Sequence, residues 1–359
     1  MKERFNILVV DDSPSVRLAV KDLLLRDPDI ANVTTATNGR FALSKLRFFQ
    51  PDAIILDLEM PEMDGLSFLR AYKKPDTPPV ILFSVHTYRG GKLTVQGLAE
   101  GAFDFVTKPD QLLRGDFAET GRELLTKVKV AARKYRRRHR RSQPPPPAAP
   151  EHLSLPESKS LLRPEVIVMG ASTGGTRAIE TILSRLQPPL PPVVVAIHMP
   201  ANFTGPFAER LHQITALSVA EGENGQTLLE NHVYVAPGGK QTRVKRLLQR
   251  GLFLSVTEEK EFLYSPSVDV LFHSAAEAAR KNVLAVLLTG MGSDGAAAMK
   301  TLHDLGAATV AQDETTSAVF GMPRAAIELG AADWILPVQN IAAVVQHVAA
   351  AGPMYSAVR

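Results

Sequence analysis

Short apolar runs rich in β-branched residues alternate twice along this chain with segments of helical period, and this double alternation restricts the fold more than any other feature. In the first half, Phe5–Val10, Val33–Ala36, Ala53–Leu56, Val80–Phe83 and Phe103–Val106 read as strands. Helices are predicted to begin near Ser13, Gly39, Gly65 and Gly91, with a fifth after Pro109. From Glu165 the pattern restarts, with strands predicted at Val166–Met169, Val193–Ile197, His232–Val235, Val283–Leu288, Ala308–Ala311 and Trp334–Leu336. Helical stretches fall at Thr176–Leu186, Pro206–Ile214, Val268–Ala279, Ala296–Leu305 and Asn340–Ala350. Each half therefore reads as α/β, giving two doubly wound parallel-sheet domains. In such sheets ligands bind outside the carboxyl ends of the strands, so residues just after strands are the candidates for chemistry.

Between the halves lie Arg136-Arg137-Arg138-His139-Arg140-Arg141 and four prolines, Pro144 to Pro147. Like charges repel and prolines favour extended chain, so residues 126–163 read as a semi-rigid linker joining domains at 1–125 and 164–350. Nine of the 41 Lys and Arg fall between Lys127 and Arg141, a stretch without acidic residues, while the other 32 face 37 Asp and Glu. The folded parts are thus mildly acidic. The tract is read as the solvated end of the fifth helix entering the linker, with a surface for nucleic acid as the alternative. The absence of cysteine excludes disulfides, thiolate catalysis and zinc–thiolate sites. No apolar run reaches the roughly 18–20 residues of a membrane span. The run following Met1-Lys2-Glu3-Arg4 is too short and too abruptly acidic for a signal peptide, so a cytoplasmic protein without membrane insertion is expected.

Three predicted strand ends in the first half carry charge: Asp11-Asp12, Asp57 and Lys108-Pro109. Parallel topology brings these ends to one edge, where converging carboxylates repel unless a cation joins them. Oxygen ligands of this kind suit Mg²⁺. A carboxylate held beside the metal can attack a phosphoryl group and form an acyl phosphate. Lys108 and the Ser84 hydroxyl are placed to pair with the phosphoryl oxygens. Helix capping would explain Asp12 alone, but not the whole set. Asp57-Leu58-Glu59-Met60-Pro61-Glu62-Met63-Asp64-Gly65, with Ser84 and Thr107-Lys108-Pro109, closely resembles the receiver domain of bacterial response regulators over roughly residues 4–125. The resemblance implies a flavodoxin-like fold with Asp57 as phosphoacceptor, and Mg²⁺ held by Asp11, Asp12, Asp57 and the backbone carbonyl of Glu59. It also implies Ser84 and Phe105 as a switch pair, although an aromatic on a strand is as readily a core residue.

In the second half, Gly170-Ala171-Ser172-Thr173-Gly174-Gly175 lies between a strand and a helix and matches G-x-S-x-G, whose glycines permit a sharp turn that exposes the serine. Glycine-rich turns also bind dinucleotides, but the spacing is wrong and the next strand ends in His198 rather than an acid for a ribose. Of the nine histidines, His86 belongs to the first half, and His139 and His152 to the linker region. His212, His273, His303 and His347 fall inside predicted helices, and His232 begins a strand at the opposite edge. Only His198 ends a strand on the serine's edge, where a general base must stand. The third member is Asp294 or Asp313, both after strands, and the glycine-rich loop around Asp294 favours it.

The order Ser, His, Asp differs from those of α/β-hydrolases, chymotrypsin and subtilisin, so the constellation belongs to another fold. Together with His198-Met199-Pro200, Phe203–Ala208, Ala236-Pro237-Gly238-Gly239, Pro266-Ser267-Val268-Asp269, Thr289–Gly295 and Gln312–Pro323, it looks like the catalytic domain of the CheB family of chemotaxis protein-glutamate methylesterases. The likeness spans about 165–345 and implies a Rossmann-like methylesterase domain with no cofactor in the esterase site. It assigns the triad to Ser172, His198 and Asp294, and the oxyanion hole to backbone N–H groups at Thr173 and Met291. It further implies hydrolysis of glutamate γ-methyl esters on methyl-accepting chemoreceptors, with glutamine deamidation as a second activity. A chemotaxis histidine kinase would phosphorylate Asp57 and so release the esterase from restraint by the receiver. Two rivals differ in class: a serine hydrolase for a non-receptor ester, and a response regulator binding nucleic acid through the basic linker. The second would need a helix-turn-helix output, whereas this output half is α/β and acidic, so no DNA partner is expected.

Overall fold

Strands β1 (Phe5–Val10), β3 (Ala53–Leu56) and β4 (Val80–Ser84) are buried almost throughout, as strands covered by helices on both faces must be. With β2 (Ile30–Ala36) and β5 (Asp104–Thr107) they form a parallel sheet of order β2-β1-β3-β4-β5. This is the flavodoxin-like order. The connecting helices are α1 (Pro14–Leu25), α2 (Gly39–Lys45), α3 (Gly65–Tyr72), α4 (Tyr88–Ala99) and α5 (Phe117–Arg140). The computed structural model describes residues 4–72, 76–109, 117–140, 163–249, 251–259 and 261–351. They divide into two units, the first ending with α5 and the second beginning at Arg163. Among them no helix is long and apolar enough to cross a membrane.

Helix α5 corrects one expectation. It continues through residue 125, where the first domain was expected to end, and residues 126–140 are helix rather than linker. The reason is an apolar stripe hidden among the basic residues: Leu124, Val128, Ala131 and Ala132 sit at helical spacing and are fully buried in the first core. The expected repulsion between arginines is offset by acids of the same domain. Arg136 binds Asp52 through two hydrogen bonds of 2.6 Å, donates to the Arg4 carbonyl at 2.7 Å and lies over the Phe5 ring. Lys129 pairs with Asp27 and Asp29, and Arg133 with Asp29. Much of the basic tract thus anchors the helix it belongs to. Arg141, Pro144 to Pro147 and His152 lie outside the described residues.

The second sheet has seven strands, all paired in parallel, in the order β14-β13-β12-β6-β7-β9-β8. Their ranges are β6 (Val166–Ala171), β7 (Val193–Ile197), β8 (Ser218–Glu221), β9 (His232–Val235), β12 (Val283–Leu287), β13 (Ala308–Gln312) and β14 (Trp334–Leu336). From β6 the chain fills one side of the sheet through β7 to β9, then returns to place β12 on the other side of β6. The crevice outside the carboxyl ends of β6 and β12 is therefore the topological switch point. Helices α6 (Gly175–Leu183), α7 (Thr204–Ile214), α8 (Val268–Ala279), α9 (Ala296–Asp304), α10 (Met322–Glu328) and α11 (Val338–Ala350) complete the domain. Three strands were not expected. Edge strand β8 exposes three of its four residues, and an antiparallel hairpin of β10 (Gln241–Leu247) and β11 (Gly251–Thr257) carries Arg243, Lys245 and Arg246.

Candidate active site

Strand β6 delivers Ser172 to the switch point, and its N–H donates to the Thr289 carbonyl at 3.0 Å, tying the serine turn to the loop after β12. A Cβ on Gly290 would stand 2.2 Å from Met322 Sδ and 2.8 Å from Ser172 Cβ, so only glycine lets that loop pass here. His198 follows the adjacent strand β7. Its Nδ1 lies 3.1 Å from Ser172 Oγ and its Nε2 lies 2.7 Å from Asp294 Oδ2. With Asp294 ionised, Nε2 carries the proton and the Nδ1 lone pair faces the hydroxyl, the tautomer a general base requires. The two nitrogens serve in the reverse sense from the chymotrypsin template, where Nε2 faces the serine.

Asp294 sits on the N-terminus of α8. Its Oδ1 accepts from Ser267 Oγ at 2.9 Å and Asp269 N at 3.0 Å, and its Oδ2 from Val268 N at 2.7 Å. Ser267 is the N-cap of that helix, so the carboxylate takes up N–H groups that the first turn leaves free. Burial works against its charge, but the His198 hydrogen bond and the N–H groups of Asp269 and Val268 outweigh it and hold the carboxyl below its ordinary value. Asp313 instead accepts from Thr316 N at 3.0 Å and shapes its own turn after β13. Thr173 is buried, and its carbonyl accepts from Thr289 Oγ1 at 2.9 Å. Among the described residues, no acceptor takes up the N–H of Thr173 or Met291.

Two contributors escaped the sequence reading. The Tyr264 ring covers His198, with centroids 4.1 Å apart and planes within 9°. Gln241, fully buried, fixes that segment: its Nε2 donates to the Tyr264 carbonyl at 2.7 Å and its Oε1 accepts from Ser267 N at 3.0 Å. Both residues lie outside the recognisable motifs, and Gln241 starts the unforeseen hairpin. Tyr264 and Asp294 also line an open cleft of about 740 Å³ between the hairpin and α8.

In the first domain, Asp11, Asp12 and Asp57 bring oxygen atoms within 4.8 Å of one another. Lys108 Nζ lies 2.7 Å from Asp57 Oδ2 and 2.8 Å from Asp11 Oδ2. Asp11 Oδ2 is nevertheless buried without a well-formed hydrogen bond. An all-oxygen donor set of three converging carboxylates that share a single lysine fits a hard divalent cation. Burial pushes the Asp57 carboxyl up, Lys108 opposes this only in part, and Asp11 adds to the rise. Burial also disfavours the Lys108 charge, but Asp11 and Asp57 outweigh it and raise that group. Glu59 N donates to Asp57 Oδ1 at 3.3 Å. A Cβ on Gly65 would stand 2.4 Å from the Asp57 carbonyl, so glycine there permits the close approach of α3. Ser84 Oγ, expected to face phosphoryl oxygens, donates instead to the Gly90 carbonyl at 3.4 Å. Phe105 is buried, with Lys127 over its ring.

A serine, imidazole and carboxylate in hydrogen-bonded series at a switch point, on a chain whose other sheet edge gathers three carboxylates and a lysine, define a hydrolase carrying a receiver domain. Comparison with known proteins gives the family. The CheB methylesterase family model matches residues 167–345, and that of the response regulator receiver domain residues 7–114. A protein-glutamate methylesterase/protein-glutamine glutaminase of Bordetella parapertussis is 41% identical over 340 residues, covering 94% of this chain and 95% of its own. One from Nitrosomonas europaea is 37% identical, with 95% of each chain covered. The crystal structure of the Thermotoga maritima CheB methylesterase catalytic domain superposes with a TM-score of 0.50 and 34% identity, over 52% of this chain and 98% of its own. The chain belongs to the CheB family of protein-glutamate methylesterase/protein-glutamine glutaminases, with an N-terminal receiver domain.

Proposed function

We propose that this chain is a phosphorylation-activated methylesterase in which Ser172 cleaves glutamate γ-methyl esters on chemoreceptors. The observation that carries the reading is the unbroken hydrogen-bond series from Ser172 Oγ through His198 to Asp294. Ser172 Oγ attacks the ester carbonyl carbon while His198 Nδ1 takes its proton. Asp294, held ionised by the N-terminus of α8, stabilises the imidazolium that forms. The N–H groups of Thr173 and Met291, which have no acceptor among the described residues, receive the oxyanion, a contribution of about 3 kcal/mol per donor. His198 then protonates the departing methoxide, which leaves as methanol. Water activated by the same imidazole attacks the acyl enzyme and releases glutamate. A glutamine amide enters the same acyl enzyme with loss of ammonia, which accounts for deamidation.

Control rests on Asp57, which accepts a phosphoryl group from a chemotaxis histidine kinase in the cytoplasm. Asp11, Asp12, Asp57 and the Glu59 carbonyl would hold Mg²⁺, which would offset the crowded negative charge and orient the phosphoryl donor. Lys108 pairs with the phosphoryl oxygens, and Ser84 turns from Gly90 towards them as Phe105 repacks. In this division of labour the receiver extends through α5 to Arg140, and catalysis belongs to the chain from Arg163 onward. Methanol release from methylated receptor membranes tests the scheme. Ser172→Ala is expected to abolish it, and Asp57→Ala to lose only its stimulation by Mg²⁺ and a small phosphodonor. Release at the wild-type rate by Ser172→Ala would sink the esterase reading, and equal stimulation of Asp57→Ala the regulatory one.

A further inference from the structure

The anchors of His198 at Ser172 and Asp294 both lie in the plane of the imidazole, and they leave its two faces undefined. One face is supplied by Tyr264, whose ring lies 4.1 Å away, centroid to centroid, and within 9° of parallel. That ring is not placed by chance packing. Its peptide carbonyl is bonded by Gln241 at 2.7 Å, and three residues further on Ser267 donates to Asp294 at 2.9 Å. One short segment, braced by one fully buried amide, therefore sets both the carboxylate behind the imidazole and the surface beside it.

We propose that Tyr264 is a positioning residue for His198: its face keeps the imidazole in the plane shared by Ser172 and Asp294, and favours the imidazolium formed at each turnover. The inference rests on the esterase reading above and deepens it. An aromatic face carries negative potential, so a cation stacked on it is stabilised, more so where water is excluded. The His198 side chain is 11% exposed, which meets that condition. The other charges nearby are accounted for. Asp294 bonds the Nε2 edge, and Asp269 stands behind it with its own carboxylate on the N–H of Ala298 at 3.0 Å. His273 and Glu277 face the cleft from α8, and Lys245 and Arg243 from β10. Arg243 is occupied by Glu259 through contacts of 2.6 and 2.8 Å. None of these offers the ring a second face.

The test compares Tyr264→Leu, which keeps an apolar side chain without an aromatic face, with Tyr264→Phe, which keeps the face without the hydroxyl. Methanol release gives kcat, KM and the pH profile, and NMR titration of the His198 imidazole is run on the same full-length proteins. Tyr264→Leu is expected to lower kcat about tenfold and change KM less than about twofold, the rate equivalent of one cation–π contact. It should move the NMR titration of His198 and the acid limb of the profile to lower pH, with both effects reversed in Tyr264→Phe. An unchanged His198 titration in Tyr264→Leu overturns the proposal, whatever happens to kcat. An equal loss in both variants assigns the effect to the hydroxyl and overturns it too. The titration needs no turnover, so it stays readable if Ser172→Ala removes the esterase reading itself.

Discussion

Asp57 and Asp294 are both buried carboxylates just after parallel strands, yet their surroundings drive them in opposite directions. Asp294 is completed by its own domain: two backbone N–H groups, a hydroxyl and an imidazole saturate it, and its acidity is strengthened. Asp57 shares one lysine with Asp11, lies within reach of two other acids, and is held above its ordinary pKa by burial. One carboxylate is a finished electrostatic support. The other is crowded and only partly neutralised, and the proposed phosphorylation switch at Asp57 would draw on that difference.

The largest expected effect comes from spoiling the finished site. Asp294→Asn leaves the side chain's shape but removes the charge that selects the His198 tautomer, and kcat is expected to fall about 10⁴-fold. Steady-state methanol release checks this; a loss of less than about tenfold would mean that the charge of Asp294 is not what holds the imidazole. A second variant asks whether incompleteness belongs to the whole receiver or only to its acidic pocket. Asp52 is a buried acid of that domain whose needs are met internally, by Arg136 and by Asn6 N at 2.7 Å. Arg136→Ala is expected to destabilise the first domain by about 2 kcal/mol in chemical denaturation, because it strands a buried charge. Arg138, 75% exposed beside Asp76, should cost less than about 0.5 kcal/mol when replaced by Ala.

How far all this is legible beforehand depends on where each signal lies. Strand ends betray Asp11, Asp57, Ser172 and His198, because the apolar runs before them are continuous and buried on both faces. The periodicity of α5 is drowned by arginines, whose acidic partners Asp27, Asp29 and Asp52 lie about a hundred residues earlier or more than eighty. The β10–β11 hairpin alternates buried with charged residues only in part, so neither period is clean, and Gln241 and Tyr264 are unreadable with it. Residue geometry alone also left Asp313 open beside Asp294. What separates them is the N-terminus of α8 meeting one loop and not the other, a contact across about 26 residues of sequence that no local pattern announces.

Two smaller effects sharpen the contrast at Asp57 itself. Mg²⁺ at ten times its dissociation constant should stabilise the first domain by about 1.4 kcal/mol and leave the second unchanged. Calorimetry resolves the two transitions, and Asp11→Asn should remove the shift. In the absence of metal, Asp57→Asn is expected to stabilise the first domain at neutral pH. The sign follows from linkage. A carboxyl whose folded pKa lies above its unfolded one holds its proton more tightly when folded, so wild-type stability is lost as pH rises through the folded value. The advantage of Asp57→Asn should therefore grow as pH rises from the ordinary carboxylate range through the folded pKa and then level off, whereas the contribution of Asp294 is full at neutral pH and lost only in acid. Adding Mg²⁺ should reverse the order of wild type and Asp57→Asn, because the metal turns the same charge from a cost into a ligand. A pH-independent difference that ignores Mg²⁺ would leave Asp57 as ordinary core packing, and the receiver edge as no more a switch than Asp294 is.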